Sequence, residues 1–531
     1  MNIVARVSTC LGIGHLMRIK WLLLELQSNA QASITLVLDI QKADVAPFIQ
    51  ELVCDDIHFV ETASQQDIAT LLRVIKTSNA DLVILDHYDL DVEYEKQIYS
   101  EGNKLAVFDD LGRDHYCDFL FDAKWMGELT QKRYDKKSPA KTRHFLGPDF
   151  SLLAPSFSQA LALDTHVSQS KNKTNIFCSL GGGGDLCIFA SLVNSVPHYL
   201  HSRVQFTIVI GPKAENKQAI TRLEEKFKNI TILCSPLSLA NEYRNTDLFI
   251  GALGTSLYEL AALKVPAITF SIAVNQENDI THLQQLGHFL HLDKFLDSHA
   301  TLLGTRLADL ISYLPRIKRL RHKATVTVDG LGVKRVAAIL QAQPYHVTDI
   351  NVQVGAVNYI AQLTTEYAVR EVEDSDVNNY LIARNLPNNS QKMTVSNDIP
   401  RLDHYLWWFR SERKSYVVEQ RGIPAVYVWH QHISEKSNDY LYGGWFTACN
   451  DVPFNLAMLT LQWQLEFCKA SHPNAIWLAV IHKDNKFVNL LNRYMGFVAI
   501  PIHSKEYKVT QQLFPLADEQ FNFVMWDPNA Q

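Results

Sequence analysis

The sequence predicts an α/β protein: two tandem doubly wound parallel-sheet domains followed by a mixed α/β domain. Three observations predict it. Apolar strand-like runs alternate with amphipathic stretches from Met1 to about Pro155. A polar stretch from Leu163 to Thr174 interrupts that pattern, and a second series of the same kind follows it. After about Pro344 the alternation gives way to short strands set around helices. The expected domains are residues 1–155, 156–345 and 346–531.

In the first domain, Asn2–Val7 and residues 34–38, 57–60, 82–85 and 105–108 have the apolar runs of buried parallel strands, with helical patterns between them. The second domain repeats this at residues 176–180, 206–210, 230–233, 248–250 and 267–270. Two such domains leave a cleft between the carboxyl ends of their strands, where ligands of this fold class bind. In the third domain, residues 367–371, 415–419, 425–430, 440–447 and 475–481 predict strands, with a last strand beginning at Phe497. Residues 374–384, 401–409, 454–469 and 486–494 predict helices.

Composition narrows the function classes. The chain has 531 residues and is 47% hydrophobic, enough for several full cores. A net charge of −6 over this length opposes a large basic surface and so nucleic acid as a partner. The eight cysteines form no CxxC pair and read as reduced core residues with no structural zinc site. The N-terminus lacks a basic region followed by an apolar segment, and no apolar run approaches the roughly 20 residues that cross a bilayer. These features predict a soluble, cytoplasmic protein with no membrane association; no motif sets its oligomeric state.

The chemistry begins at the first strand. Gly12-Ile13-Gly14-His15-Leu16-Met17-Arg18 joins Asn2–Val7 to a helix. Two glycines let the backbone pass close to a ligand, and the free N–H groups of the helix favour negative charge. His15 is placed to meet an anionic substrate and move a proton near neutral pH. A phosphate-binding turn whose histidine only packs or caps fits the same residues. Arg18, three residues on, either touches a phosphate or anchors the helix. Asp86-His87-Tyr88 and Asp109-Asp110 fall at strand ends. Their spacing supplies no metal cage, and acids there commonly cap the next helix.

The second domain carries Ser179-Leu180-Gly181-Gly182-Gly183-Gly184-Asp185, a bare turn between strand and helix that lets Gly182 and Gly183 approach a diphosphate. Gly254-Thr255-Ser256 with Glu259 again joins strand to helix. Its hydroxyls and N–H groups suit phosphate oxygens, and Glu259 suits the two hydroxyls of a ribose. A helix cap, with Thr255 or Ser256 paired to Glu259, also fits.

In their shared order these segments, together with Gly147-Pro148-Asp149-Phe150, Leu152-Leu153 and Asn275-Gln276, resemble the UDP-sugar hydrolases of pseudaminic acid biosynthesis, which are related in fold to GT-B glycosyltransferases. The likeness covers Met1 to about Leu340 and implies two Rossmann-like domains. It also implies hydrolysis of UDP-2,4-diacetamido-2,4,6-trideoxy-β-L-altrose to free sugar and UDP without a metal or other cofactor. His15 would be the base, with Gly14, Arg18, Gly182, Gly183, Gly254, Thr255, Ser256, Glu259, Asn275 and Gln276 toward the UDP-sugar. One departure is visible: the family's Arg-x-Asp is Arg6-Val7-Ser8 here, and the following loop is two residues shorter. The stereochemistry of the sugar therefore stays open. So do a GT-B glycosyltransferase and a sugar-nucleotide binding protein.

The order of elements after Pro344 resembles the GNAT acyltransferases. Arg384-Asn385 with Trp407-Trp408, and Asn485 ahead of Met495-Gly496-Phe497, are similar to the family's sugar-amine N-acetyltransferase branch. The resemblance implies acetyl-CoA and N-acetylation of a 4-amino UDP-sugar, with Arg384, Asn385, Asn485 and Tyr494 at the site. Two departures accompany it. The glycine turn that holds the coenzyme A diphosphate reads Cys449-Asn450-Asp451-Val452-Pro453-Phe454-Asn455, and Asn492 stands where a proton-donating tyrosine is usual. A GNAT-like module kept for packing or substrate presentation fits these departures.

Overall fold

The computed structural model describes residues 1–9, 13–30, 32–39, 45–163, 173–254, 256–272, 276–347, 357–435, 438–450 and 452–529. The chain divides into two compact units, Met1–Gln353 and Val354–Gln531.

The first unit holds two parallel sheets. β1 (Asn2–Val7), β2 (Ser33–Asp39), β3 (Asp56–Val60), β4 (Leu82–Asp86), β5 (Lys104–Phe108), β6 (Phe119–Asp122) and β7 (Arg143–Leu146) lie in the order β3-β2-β1-β4-β5-β6-β7. β1 and β4 are neighbours in register from Ile3–Leu82 to Val7–Asp86. The chain runs outward from β1 in one direction through β2 and β3, and in the other from β4. The connections after β1 and β4 thus leave toward opposite faces and open a crevice at their carboxyl ends. β6 and β7 escape sequence recognition because each has only four residues, and β7 starts on exposed Arg143 and His144.

The second sheet comprises β8 (Thr174–Ser179), β10 (Val204–Ile210), β12 (Ile230–Cys234), β13 (Leu248–Ala252), β14 (Ala267–Ser271) and β15 (Leu290–Lys294), ordered β12-β10-β8-β13-β14-β15. Its crevice lies between β8 and β13. The short strands β9 (Gly183–Asp185) and β11 (Lys213–Glu215) pair separately. The glycine run therefore does not pass straight from strand to helix: Gly183 belongs to this small ladder, and Asp185 then accepts from Cys187 N at 2.8 Å, just ahead of the helix Cys187–Asn194. Close approach of β13 to β8 needs Gly251, where a Cβ would stand 1.9 Å from Ser179 O.

The core of the second sheet takes in Leu153, Ala154 and Phe157, near the expected border. The helix Gly332–Leu340 returns to the first half, placing Val336, Ala337 and Ile339 in the core with Ile3, Leu16 and Ile19. One cut near residue 155 does not separate the halves. The polar stretch taken as the linker lies largely outside the described residues.

In the second unit β16 (Tyr359–Gln362), β17 (Tyr367–Glu371), β18 (Lys414–Gln420), β19 (Ile423–Glu435), β20 (Asn438–Thr447), β21 (Ile476–His482), β22 (Val498–Ala499) and β23 (Phe521–Trp526) form one sheet, ordered β16-β17-β18-β19-β20-β21-β23-β22. β20 and β21 are parallel and the other described pairs are antiparallel. Pairing of β20 with β21 ends at Tyr442–Leu478 although both strands run on. The helix Phe454–Ser471 packs Leu456, Ala457, Leu461 and Leu465 on the sheet. β16, β23 and the helix Lys505–Leu513 add to the predicted elements.

No described helix is long and apolar enough to cross a membrane. Of the described cysteines, Cys117, Cys178 and Cys468 are buried, whereas Cys234 and Cys449 are exposed rather than core residues.

Candidate functional site

β1 ends in a buried ionic cluster that fixes the start of the next connection. Arg6, fully enclosed, reaches Asp39 at 2.6 Å and Asp67 at 3.0 Å. Asp39 accepts from Thr9 N at 2.7 Å and from His87 Nε2 at 3.0 Å. Burial pushes the Asp39 carboxyl upward, but His87, Arg6 and Thr9 outweigh that and hold it well below the usual carboxylate range. Arg6-Val7-Ser8 thus keeps its arginine as a structural anchor. Gly12 lies outside the described residues.

His15 is the second residue of the helix Gly14–Ala30, at the crevice between β1 and β4. Its Nδ1 lies 2.6 Å from Asp86 Oδ1, at the end of β4. A carboxylate only accepts, so Nδ1 donates to Asp86 and Nε2 is the nitrogen turned away from it. Nε2 has no partner among the described residues. Tyr88 packs edge-on against the imidazole, with ring centres 4.5 Å apart.

Arg18 holds both oxygens of Asp86, Nε at 2.7 Å and Nη2 at 2.6 Å, and reaches Asp110 at 3.2 Å. Burial raises the Asp86 carboxyl; Arg18 and His15 more than reverse it, and the group stays ionised. Of the two roles open to Arg18, the geometry displays the anchor. Asp86 does not cap a helix either. Asp109 caps no helix, since β6 is the next element; it accepts from the backbone N–H groups of Leu111, Gly112 and Arg113 in the turn after β5.

The carboxyl ends of the two sheets meet across the cleft. Lys213 Nζ, just beyond β10, donates to Thr9 O at 3.1 Å, just beyond β1. Trp125, after β6, donates its backbone N–H to Tyr258 Oη at 3.0 Å and its indole N–H to Gln285 Oε1 at 2.7 Å. Lys213 was missed by motif reasoning; its signal is its place directly after the strand in Gly211-Pro212-Lys213.

On the second sheet's side, the backbone at Gly181, Gly182 and Gly254 faces open space, since a Cβ there would meet nothing within 4 Å. Ser256 is buried and gives its hydroxyl to Ala252 O at 3.2 Å, so it does not cap the helix Ser256–Ala262. The Glu259 carboxyl group has no hydrogen-bond partner among the described residues, and burial pushes it up to about 7. Thr255 and Asn275 lie outside the described residues. Gln276 is committed to its own loop: Oε1 accepts from Ile272 N at 3.0 Å and its carbonyl from Ser271 Oγ at 3.0 Å.

In the second unit, the four expected site residues do not form a ligand cluster. Arg384 donates to Asn397 O at 2.7 Å and to Val395 O, while Asn385 bonds Ile399 N and O at 3.1 and 3.0 Å. Both clamp the loop before the helix Arg401–Arg410. Asn485 caps the helix Lys486–Tyr494 through Val488 N. Tyr494 is exposed, and Asn492 gives its amide to Val488 O at 2.9 Å. Asp451 lies outside the described residues.

No family model matches this sequence. The chain is 27% identical over 336 residues to a spore coat polysaccharide biosynthesis protein of Bacillus subtilis, covering 62% of this chain and 94% of that protein. It is 24% identical over 258 residues to the UDP-2,4-diacetamido-2,4,6-trideoxy-β-L-altropyranose hydrolase of Campylobacter jejuni, covering 48% of this chain and 90% of that one. Among solved structures, UDP-GlcNAc 2-epimerase from Neisseria meningitidis bound to UDP-GlcNAc is similar with a TM-score of 0.44 and 11% identity, over 65% of this chain and 100% of that one.

Proposed function

We propose that the first unit hydrolyses a UDP-linked 2,4-diacetamido-2,4,6-trideoxy sugar to free sugar and UDP, a step in making a nonulosonic acid such as pseudaminic acid. The observation that carries this reading is the His15–Asp86 contact at the crevice of the first sheet. The name of the Campylobacter jejuni relative supports the substrate class.

Water attacks the anomeric carbon while the bond from that carbon to the UDP oxygen breaks; His15 Nε2 accepts the proton of the attacking water. Asp86 holds the ring through Nδ1 and stabilises the imidazolium that forms. The charge that grows on the departing diphosphate meets backbone at Gly181, Gly182 and Gly254, with Lys213 supplying a cation near the same cleft. Glu259 accepts from the ribose hydroxyls.

Incubation with the UDP-sugar in buffer alone, followed by mass spectrometry, tests the reading. Release of UDP and free sugar is the expected result. UDP release only after adding an acceptor would make the chain a glycosyltransferase, and UDP binding without turnover would make it a binding protein.

For the second unit, N-acetylation of the 4-amino precursor with acetyl-CoA is the corresponding proposal. Its support is the order of elements and the end of pairing between β20 and β21 past Tyr442 and Leu478, which leaves strand edges suited to an extended amide chain. The turn at residues 449–453 has no glycine to cradle a diphosphate, so no step is assigned to it. Calorimetry with acetyl-CoA decides: binding supports the transferase, and none leaves a packing or presenting module.

A further inference from the structure

Two carboxylates face one guanidinium beside His15. Arg18 gives Nε and Nη2 to Asp86 and turns Nη1 to Oδ2 of Asp110 at 3.2 Å. The two acids differ in setting: Asp86 ends β4 and is enclosed, whereas Asp110 stands in the turn after β5 with 29% of its side chain exposed. Asp110 also takes the phenol proton of Tyr88. Burial and then Asp110 push that phenol upward, so it stays a donor. Unlike Asp109, whose carboxylate secures the turn, the Asp110 carboxylate takes no backbone donor among the described residues.

The electrostatic consequence falls on His15. Arg18 Nη2 stands 3.3 Å from His15 Nδ1, so a positive charge abuts the ring that turns positive when Nε2 takes the proton of water. With Asp86 alone, Arg18 would cancel the one carboxylate that stabilises the imidazolium. With Asp110 present, two carboxylates balance the guanidinium and the imidazolium once the proton has moved. No further charged side chain contacts the ring among the described residues; its other neighbour is Tyr88. The His15 side chain is 11% exposed and that of Arg18 19%, so solvent screens these charges only in part.

We propose that Asp110 is a positioning residue for the proton transfer: it takes up the charge of Arg18, which leaves the charge of Asp86 to the imidazolium of His15. This role rests on His15 being the base of the hydrolysis set out above, and Asp110 acts on it through Arg18.

The test follows the ring itself, by NMR of the full chain carrying carbon-13 histidine, with the His15 signal identified by its loss in His15→Gln. Asp110→Asn should lower the pH at which that signal is half-shifted by at least about half a unit, and Asp110→Glu, which keeps the charge, should restore it. The acid limb of kcat/KM for UDP release should move down with it in Asp110→Asn. A midpoint unmoved in Asp110→Asn, or lowered equally in Asp110→Glu, would overturn the role. Should Asp110→Asn fail to fold, Asp110→Ser is read by the same criteria. If the unaltered chain releases no UDP, the hydrolysis reading fails, and the titration by itself decides the charge balance.

Discussion

His15 and Arg18 share one oxygen of Asp86: Nδ1 of the imidazole and Nη2 of the guanidinium each lie 2.6 Å from Oδ1. The arginine keeps the carboxylate ionised, and the carboxylate fixes which imidazole nitrogen is free. Asp86→Asn should therefore lower kcat for UDP release by about 10²–10⁴-fold with little change in KM. His15→Ala should do the same while retaining UDP affinity. Initial-rate kinetics with a UDP-binding titration check both; undiminished turnover in His15→Ala would remove the base from the mechanism.

Glu259 gives a pH signature. Its carboxyl is pushed up to about 7, so it is largely neutral at pH 6 and ionised at pH 8. A ribose donating two hydroxyls favours the ionised form, so UDP affinity should rise by up to about tenfold between those values. Titrations at both pH values, repeated with Glu259→Gln, should show the rise only in the unaltered chain.

Asp122 controls a stability effect of the opposite sign. Tyr134 Oη lies 2.8 Å from Asp109 and 2.9 Å from Asp122, yet has one proton to give. Asp109 is held ionised, whereas burial, only partly offset by Arg133, pushes Asp122 up to about 6. The folded state keeps this proton where the unfolded chain releases it, so stability falls as pH rises from about 4 to 6, by about 3 kcal/mol in full. Asp122→Asn should abolish this slope and raise Tm at pH 8. A Tm below that of the unaltered chain at pH 8 would show that the carboxylate is the form the fold uses.

The glycines separate folding from binding. Gly182→Ala adds a methyl group in open space and should leave Tm unchanged while weakening UDP binding. Gly251→Ala drives the methyl group into the Ser179 carbonyl and should destabilise by several kcal/mol. Calorimetric melting and UDP titration of both variants test this; unchanged UDP affinity in Gly182→Ala would place the glycine run away from the diphosphate.

Much of the fold was legible because buried parallel strands write themselves as apolar runs. Every strand predicted in the first unit lies within or overlaps an observed one. The four-residue strands β6 and β7, and the small ladder at Gly183–Asp185, carry too few apolar residues to register. In the second unit the helix Lys486–Tyr494 matched residue for residue, but the local hydrogen bonds of Arg384, Asn385 and Asn485 were not legible, because sequence does not show which backbone groups a side chain satisfies.

The sequence by itself determined the alternation of strand and helix and the glycine turns at the strand ends. It also set His15 at the opening of a helix, because these are local patterns of apolar period and turn chemistry. Tertiary structure alone decided that Asp86, 71 positions away, orients that histidine. It likewise decided that Lys213 reaches Thr9 across 204 positions, and that Glu259 loses enough water to shift toward neutrality. The physical reason is that parallel pairing joins distant segments: which loops face one another, and how much solvent remains between them, depends on strand order.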